Sequence, residues 1–361
     1  TVRPSTSADW PTTIRRTADA VGGDPAALQA ELARVGAITE GEGGVRAVDL
    51  THEGQQDLLV WYVDPGTPNP ATRGNVVVLT RDADAWRPIF DATFGVGSTE
   101  GARLLEARDL NNDRQNELAY TLTQCGATGC STNVRVGVWN GSAFRDLTVS
   151  EIRLPSLREA IFSDEDGNGL FDMVLTGGTL SSPAAGPQRE RTDIYRWTPN
   201  GYALSETLYA ASDWLPLIVW EANDALLASD YGRAITLYER AITDTTLRPW
   251  TGGTEEPALQ ESERALLYAF SRFRLLVANA ALGRRTVAEE WLDALRTNHP
   301  DSPFRQAGET FMERWRGTSL AAPCRAVNDD AANNLPTLVD PLNNFGFTGP
   351  QFVAEDICPL G

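Results

Sequence analysis

Lysine is absent from the chain, so all 31 basic residues are arginine. That excludes a lysine-based phosphate loop and any Schiff-base lysine. Only two histidines are present, His52 and His299, which leaves little acid–base capacity near neutral pH. Neither belongs to a recognisable catalytic pattern: HExxH, GxSxG and glycine-rich phosphate loops are all missing. No apolar run approaches the ~18 residues of a membrane helix, and the stretch Trp214 to Val219 falls far short. Positive charge is scarce as well, with 31 basic against 49 acidic residues and a net charge of −18. Such a field repels phosphate backbones and anionic lipid headgroups, so nucleic-acid binding is not expected.

What remains is ordinary globular material, 42% hydrophobic and 8% aromatic over 361 residues, enough for two or three domains. The four cysteines suggest two pairs. Cys125 and Cys130 flank GATG in what reads as a hairpin, and Cys324 with Cys358 would clip the C-terminal tail. Four free thiols in a reducing compartment is the other reading. Zinc fits less well, because the spacings match no common ligand pattern. The chain begins at Thr1, and residues 1–22 open with the Ser/Thr/Pro-rich TVRPSTSADWPTT, expected to be an extended tether following a cleaved export signal. With the cysteine pairs, this predicts a location outside the cytoplasm: secreted, on the cell surface or lipid-anchored.

Three segments repeat one pattern of strand, acidic loop and apolar strand: VRAVDLTHEGQQDLLVWYV from Val45, LLEARDLNNDRQNELAYTL from Leu104 and EAIFSDEDGNGLFDMVLTG from Glu159. Their first loop aspartates, Asp49, Asp109 and Asp164, lie 60 and 55 residues apart. Each is followed by two more strand-like runs joined by a polar turn: NVVVLT and WRPIFDATF, NVRVGVWN and FRDLTV, RTDIYRW and YALSETLY. Alternating apolar and polar residues predict hairpins, four strands to a unit, over 39–210. A helix is predicted within 23–38, where Asp24 would cap DPAALQAELARV and Pro25 would sit at its first position.

The loops carry the candidate chemistry. Counting from its first aspartate, the third places Asp164, Asp166, Asn168 and Asp172 at positions 1, 3, 5 and 9, with Gly169 at 6 and the Leu170 carbonyl at 7. Alternate oxygen side chains on a curled loop can converge on a hard cation such as Ca2+. The second offers Asp109, Asn111, Asp113, the Gln115 carbonyl and Glu117, but Arg114 replaces the glycine. The first aligns Asp49, Thr51, Glu53, Gln55 and Asp57; threonine and a longer glutamate make it the poorest candidate. The same residues also suit metal-free turns in which Asp and Asn satisfy their own backbone. An EF-hand is excluded, since the closing acid comes at position 9 and strands flank the loop.

The motif D-x-[DN]-x-[DN]-G-x-x-[DE] before an apolar strand, carried here by Asp164, Asp166, Asn168, Gly169 and Asp172 and by Asp109, Asn111, Asp113 and Glu117, resembles the FG-GAP/VCBS repeats of integrin-type β-propellers. The resemblance implies structural calcium in the loops and propeller blades over roughly 40–210. Three units are fewer than the 4–8 blades of a closed propeller, so the array is open and capped, completed by unrecognised segments, or completed by another chain.

Over 211–317 the periodicity changes from two to 3.6. Helical pairs are predicted on either side of Ser229–Asp230 and of Gly283, separated by the breaker cluster LRPWTGGTEEP. Tyr231, Ala234, Tyr238 and Ala241, then Gly283, Ala288, Leu292 and Pro300, resemble the packing positions of tetratricopeptide repeats, and HPDSPF resembles repeat ends of bacterial envelope proteins. A further helix around Phe304–Trp315 would cap them. Trp214, Trp220, Trp291 and Trp315 are read as core, and the two histidines as surface residues. The tail 318–361 is expected to be ordered loop pinned by Cys358, with a disordered or partner-bound tail as the alternative.

The fold class expected is therefore multidomain β plus α, with three propeller-like antiparallel blade repeats followed by a tetratricopeptide-like solenoid. The function expected is non-enzymatic: interaction or scaffolding with a protein partner or by self-assembly. Carbohydrate binding and a structural subunit that completes a neighbour's array are alternatives. Sugar hydrolysis by a carboxylate pair is the one enzymatic alternative.

Overall fold

The computed structural model describes residues 2–93, 100–254, 256–317 and 319–360. Thr1, Phe94 at the end of WRPIFDATF, Glu255 in the breaker cluster, and Thr318 and Gly361 in the tail lie outside the described residues. The chain divides into two compact units: Thr1–Ser181 with Glu190–Ala210, and Ser182–Arg189 with Ala211–Gly361. The first is mostly antiparallel sheet and the second mostly helix.

The first unit opens with α1 (Trp10–Ala20) and α2 (Pro25–Arg34). The expected extended tether is thus corrected. Trp10, Ile14 and Ala18 recur at helical spacing and are all buried, and Pro11 lies in the first turn, where its missing N–H costs nothing. Asp24 caps α2 by accepting the Ala27 N–H at 2.7 Å.

Three sheets follow, each meandering in sequence order. The first holds β1 (Gly44–Val48), β2 (Asp57–Val63), β3 (Gly74–Asp82) and β4 (Ala85–Asp91). In the second are β5 (Glu100–Arg108), β6 (Glu117–Gly126), β7 (Gly129–Trp139), β8 (Phe144–Asp146) and β9 (Ile152–Pro155), of which β8 and β9 both pair with β7. The third is built of β10 (Glu159–Ser163), β11 (Asp172–Gly177), β12 (Arg191–Thr198) and β13 (Gly201–Tyr209).

Both faces of the first two sheets are buried, which is why β2 and β3 read as continuous apolar runs. Leu58, Val60, Tyr62, Val77, Leu79 and Trp86 pack with Trp10, Ile14, Leu28 and Leu32 of the helices. The alternate residues Leu59, Val76 and Val78 face Ala102, Ala107 and Leu118 of the second sheet. Ala119, Val134 and Val136 in turn face Met173, Leu175 and Tyr195 of the third. The period of two therefore sends successive side chains into different cores. The helix pair closes off the outer face of the first sheet, and no closed barrel is formed by the described strands.

In the second unit α3 (Leu215–Leu227) packs on α4 (Tyr231–Thr243), α5 (Pro257–Ala281) on α6 (Arg285–Asn298), and α7 (Pro303–Arg314) on α8 (Ala321–Asn333), with the short α9 (Leu335–Leu338) beyond. Ala234, Tyr238, Ala241, Ala288 and Leu292 are buried in one core with Phe270, Phe273, Phe304 and Phe311. Trp315 is buried there too, and Trp220 and Trp291 pack against it half-exposed. The tail differs from the expected loop: Cys324, Val327 and Ala331 are buried at helical spacing in α8, and further helical turns follow. The disulfide Cys324–Cys358 holds its end, and Cys125–Cys130 joins directly paired residues of β6 and β7.

The turns after α3 and α5 have one geometry. Asp230 N–H donates to Ala225 O and Ser229 N–H to Leu226 O; Arg284 N–H donates to Asn279 O and Gly283 N–H to Ala280 O. This is the Schellman pattern, which needs a left-handed residue at Ser229 (φ 61°) and Gly283 (φ 71°). Glycine is free of the steric cost that the exposed Ser229 bears. Ser229→Gly should stabilise the helical unit by roughly 1 kcal/mol, read as a raised melting temperature. Removing Cys324–Cys358 should cost up to about 4 kcal/mol and Cys125–Cys130 about 2, because the closed loops differ in length; denaturant melts of the paired Cys→Ala variants measure this.

Candidate metal centre

Each acidic loop joins the first two strands of a sheet, and all three are anchored in the same register. Val48 pairs with Asp57, Arg108 with Glu117 and Ser163 with Asp172. The position-9 acid is thus always the first residue of the second strand. It is also always buried: Asp57 is 1% exposed, Glu117 and Asp172 0%. Its carboxylate turns back into the loop. Asp57 Oδ2 accepts the N–H groups of Leu50 and Thr51 at 2.8 and 2.9 Å, Glu117 Oε2 that of Leu110 at 2.7 Å, and Asp172 Oδ2 that of Glu165 at 3.3 Å.

The position-1 aspartate closes the curl from the other side. Asp109 accepts N–H groups of Asp113 and Arg114 at 3.2 and 2.8 Å. Asp164 accepts those of Asn168 and Gly169, both at 3.0 Å, and Asp49 that of Gly54 at 3.0 Å. Asn111 and Asp166 hold the N–H of position 5; Asp113 and Asn168 hold that of position 7. Self-satisfying turns would make the same bonds.

Backbone torsions make the likeness closer than the sequence motif does. Position 6 is left-handed in every loop, at Gly54 (77°), Arg114 (69°) and Gly169 (82°). So is position 4, at His52 (59°), Asn112 (60°) and Gly167 (74°). Sequence reasoning missed position 4; the signal was its composition, Asn, Gly and His, three residue types found more readily than most in that region. Position 8 was missed too. Asn116 Nδ2 donates to Asp49 O at 2.8 Å and Phe171 N–H to Leu110 O at 2.9 Å, so each loop is hydrogen-bonded to the one before it.

The donors suit a hard cation. Asp172 Oδ1, in a fully buried residue, has no hydrogen-bond partner among the described residues, and neither has the buried Asp49 Oδ1. A buried carboxylate oxygen left unmatched is costly unless a cation reaches it. Burial foremost, together with Asp113 and Asp109 nearby, pushes Glu117 up to about 7 despite its Leu110 hydrogen bond. Asp172 is likewise raised, by burial and by Asp166 and Asp164, against Glu165 N–H and Arg196. Among the described residues no three His, Cys, Asp or Glu side chains form a metal-holding group by themselves. An ion here would also draw on Asn111 or Asn168 and on the Gln115 or Leu170 carbonyl.

His52 and His299 are half-buried rather than surface residues; His299 Nε2 stands 2.8 Å from Arg272 Nη1. Burial and that guanidinium hold its pKa below the usual value. A cleft of ≈ 850 Å³ lies at the strand ends remote from the loops, lined by Trp61, Asn75, Arg103, Thr123, Thr132 and Glu159 among others. The chain matches no protein-family model, and no curated protein aligns with it.

Arg114 is exposed and holds a left-handed conformation with no ion pair among the described residues. Arg114→Gly should therefore relieve roughly 1 kcal/mol of backbone strain, and a higher melting temperature in chelator-treated protein checks this.

Proposed function

We propose that this chain is a non-enzymatic, extracytoplasmic binding or scaffolding protein whose β unit is braced by calcium in the second and third acidic loops. The observation that carries this is the shared loop: three copies with one register, two left-handed residues each and a buried position-9 carboxylate. In the third copy that carboxylate has an oxygen unmatched by any hydrogen bond among the described residues. Bound calcium supplies a positive charge that offsets the mutual repulsion of the loop acids. The residues that would hold it are Asp109, Asn111, Asp113, Gln115 and Glu117 in one loop, and Asp164, Asp166, Asn168, Leu170 and Asp172 in the other. In the first loop Thr51 and the longer Glu53 are poorer ligands, and the Thr51 hydroxyl already donates to Asp57 Oδ1 at 3.4 Å, so that loop is the poorest site.

Each sheet is the size of a propeller blade, and we read the series as an open, FG-GAP-like array capped by α1 and α2. The helical unit is read as a short tetratricopeptide-like solenoid offering a docking surface to a protein partner. Two disulfides favour an oxidising compartment, where calcium is plentiful enough for sites of modest affinity. No described helix is long and apolar enough to cross a membrane. Carbohydrate recognition is a second reading favoured by one observation, the polar cleft with Trp61 beside threonine, asparagine and arginine side chains. Glycan-array binding abolished by Trp61→Ala would support it.

Calcium at about 100 times its dissociation constant should stabilise the fold by about 2.7 kcal/mol. Chelation should lower the melting temperature by several degrees, and Asp164→Ala should reproduce part of the loss. A melt indifferent to both calcium and chelator would overturn the reading.

A further inference from the structure

The three loops differ most in what faces their buried acid from the next strand. In the first sheet Leu58 pairs with Leu79, so one step further along the register Asp57 faces Thr80. In the second Leu118 pairs with Gly137, placing Val138 opposite Glu117. In the third Met173 pairs with Tyr195, which places Arg196 opposite Asp172. One loop therefore has a hydroxyl at this place, one a hydrocarbon and one a cation.

The Arg196 side chain is positioned from two directions. Its Nη1 donates to Ser205 Oγ on β13 at 2.8 Å. Its Nε lies 3.5 Å from Asp166 Oδ2 and 3.8 Å from Asp172 Oδ2. That Nε is buried and has no hydrogen-bond partner among the described residues. The guanidinium is thus near enough to neutralise two ligand candidates, yet too far for close, well-formed hydrogen bonds to them. Asp172 Oδ1 is left without a hydrogen-bond partner among the described residues.

We propose that Arg196 is the built-in counter-cation of the third loop, and that a divalent ion must displace its guanidinium from Asp166 and Asp172 in order to bind. This rests on the calcium reading above and refines it. By motif the third loop is the better site, having Gly169 where the second has Arg114. Charge reverses that order. Arg114 is exposed and forms no ion pair among the described residues, whereas Arg196 sits against the ligands. The second loop is then the tighter site and the third fills only at higher calcium. Without calcium, Arg196 keeps the third loop from being forced apart by its own acids. With calcium, the released guanidinium is still held to β13 through Ser205, so filling the loop alters the tie between the loop and the β12–β13 hairpin.

The test uses the full chain with the second loop disabled by Asp109→Ala, or by Asp113→Asn should the first variant fold poorly. Calcium is titrated calorimetrically into this parent and into parents carrying Arg196→Gln or Arg196→Lys. Removing a unit charge about 4 Å from the ligands should tighten binding at least roughly tenfold. The lysine variant should stay close to the parent, because it keeps the charge. In chelator Arg196→Gln should melt below the parent, and calcium should abolish or reverse that difference. Equal affinities for the glutamine variant and the parent, or an unchanged melt in chelator, would overturn the counter-cation role while leaving calcium at the second loop intact. Absence of calcium binding by every chain, including one with both loops unaltered, would overturn the calcium reading and this proposal together.

Discussion

A buried carboxylate at the first residue of a second strand is the constraint on which the β unit is organised. Asp57, Glu117 and Asp172 each occupy it, paired in register with the residue before the loop. Burying an ionised carboxylate costs several kcal/mol unless its oxygens are matched. The loop supplies the match by bending its own N–H groups inward, which requires left-handed backbone at positions 4 and 6. Loop shape, strand register and the need for a counter-charge thus follow from one acid. Asp57 has nearly saturated its oxygens with backbone and Thr51 donors; Asp172 has not. The same frame therefore holds one loop that is close to self-sufficient and one whose buried acid keeps an oxygen unmatched among the described residues.

That local constraint is propagated by the sheets. Because alternate residues of β2, β3 and β6 enter different cores, a slip of one residue at any acidic loop would turn apolar side chains out of both cores at once. The bonds from Asn116 to Asp49 and from Phe171 to Leu110 then set neighbouring loops side by side, and Arg46 adds a bond to Ala107 across the first two sheets. The helical unit follows a different logic. Its core is one large aromatic and aliphatic cluster, and a buried arginine, Arg274, stacks over Phe270 and bonds to the Asp356 carbonyl of the tail. The disulfide Cys324–Cys358 therefore ties the end of the tail to α8, and the Arg274 contact joins the tail to α5 beneath the surface.

Much of this was legible in the sequence because it depends on period and spacing. The switch from two to 3.6, the three acidic loops and the Gly283 turn are written in residue types that admit few conformations. Helix α1 was hidden by its surroundings: Ser, Thr and Pro around Trp10 and Ile14 outweigh in composition the three apolar positions that matter in packing. The tail was obscured similarly, since Asn and Asp are abundant on α8 while Cys324, Val327 and Ala331 form a narrow buried stripe. Arg196 was invisible for a different reason. It lies 24 residues beyond Asp172 in the chain, and only strand register brings it back to the loop. A motif read along the chain ranks Asp164–Asp172 first; a motif read across the sheet does not.

If the second and third loops are ion sites rather than acidic turns, each takes up one calcium ion. Equilibrium dialysis of the full chain against radiolabelled calcium at extracellular concentrations counts bound ions directly. Calcium braces predict two per chain, filled in sequence, with the stronger site lost in a Glu117→Gln variant. A count of zero at saturating calcium would show that the loops satisfy themselves, and would contradict the calcium reading.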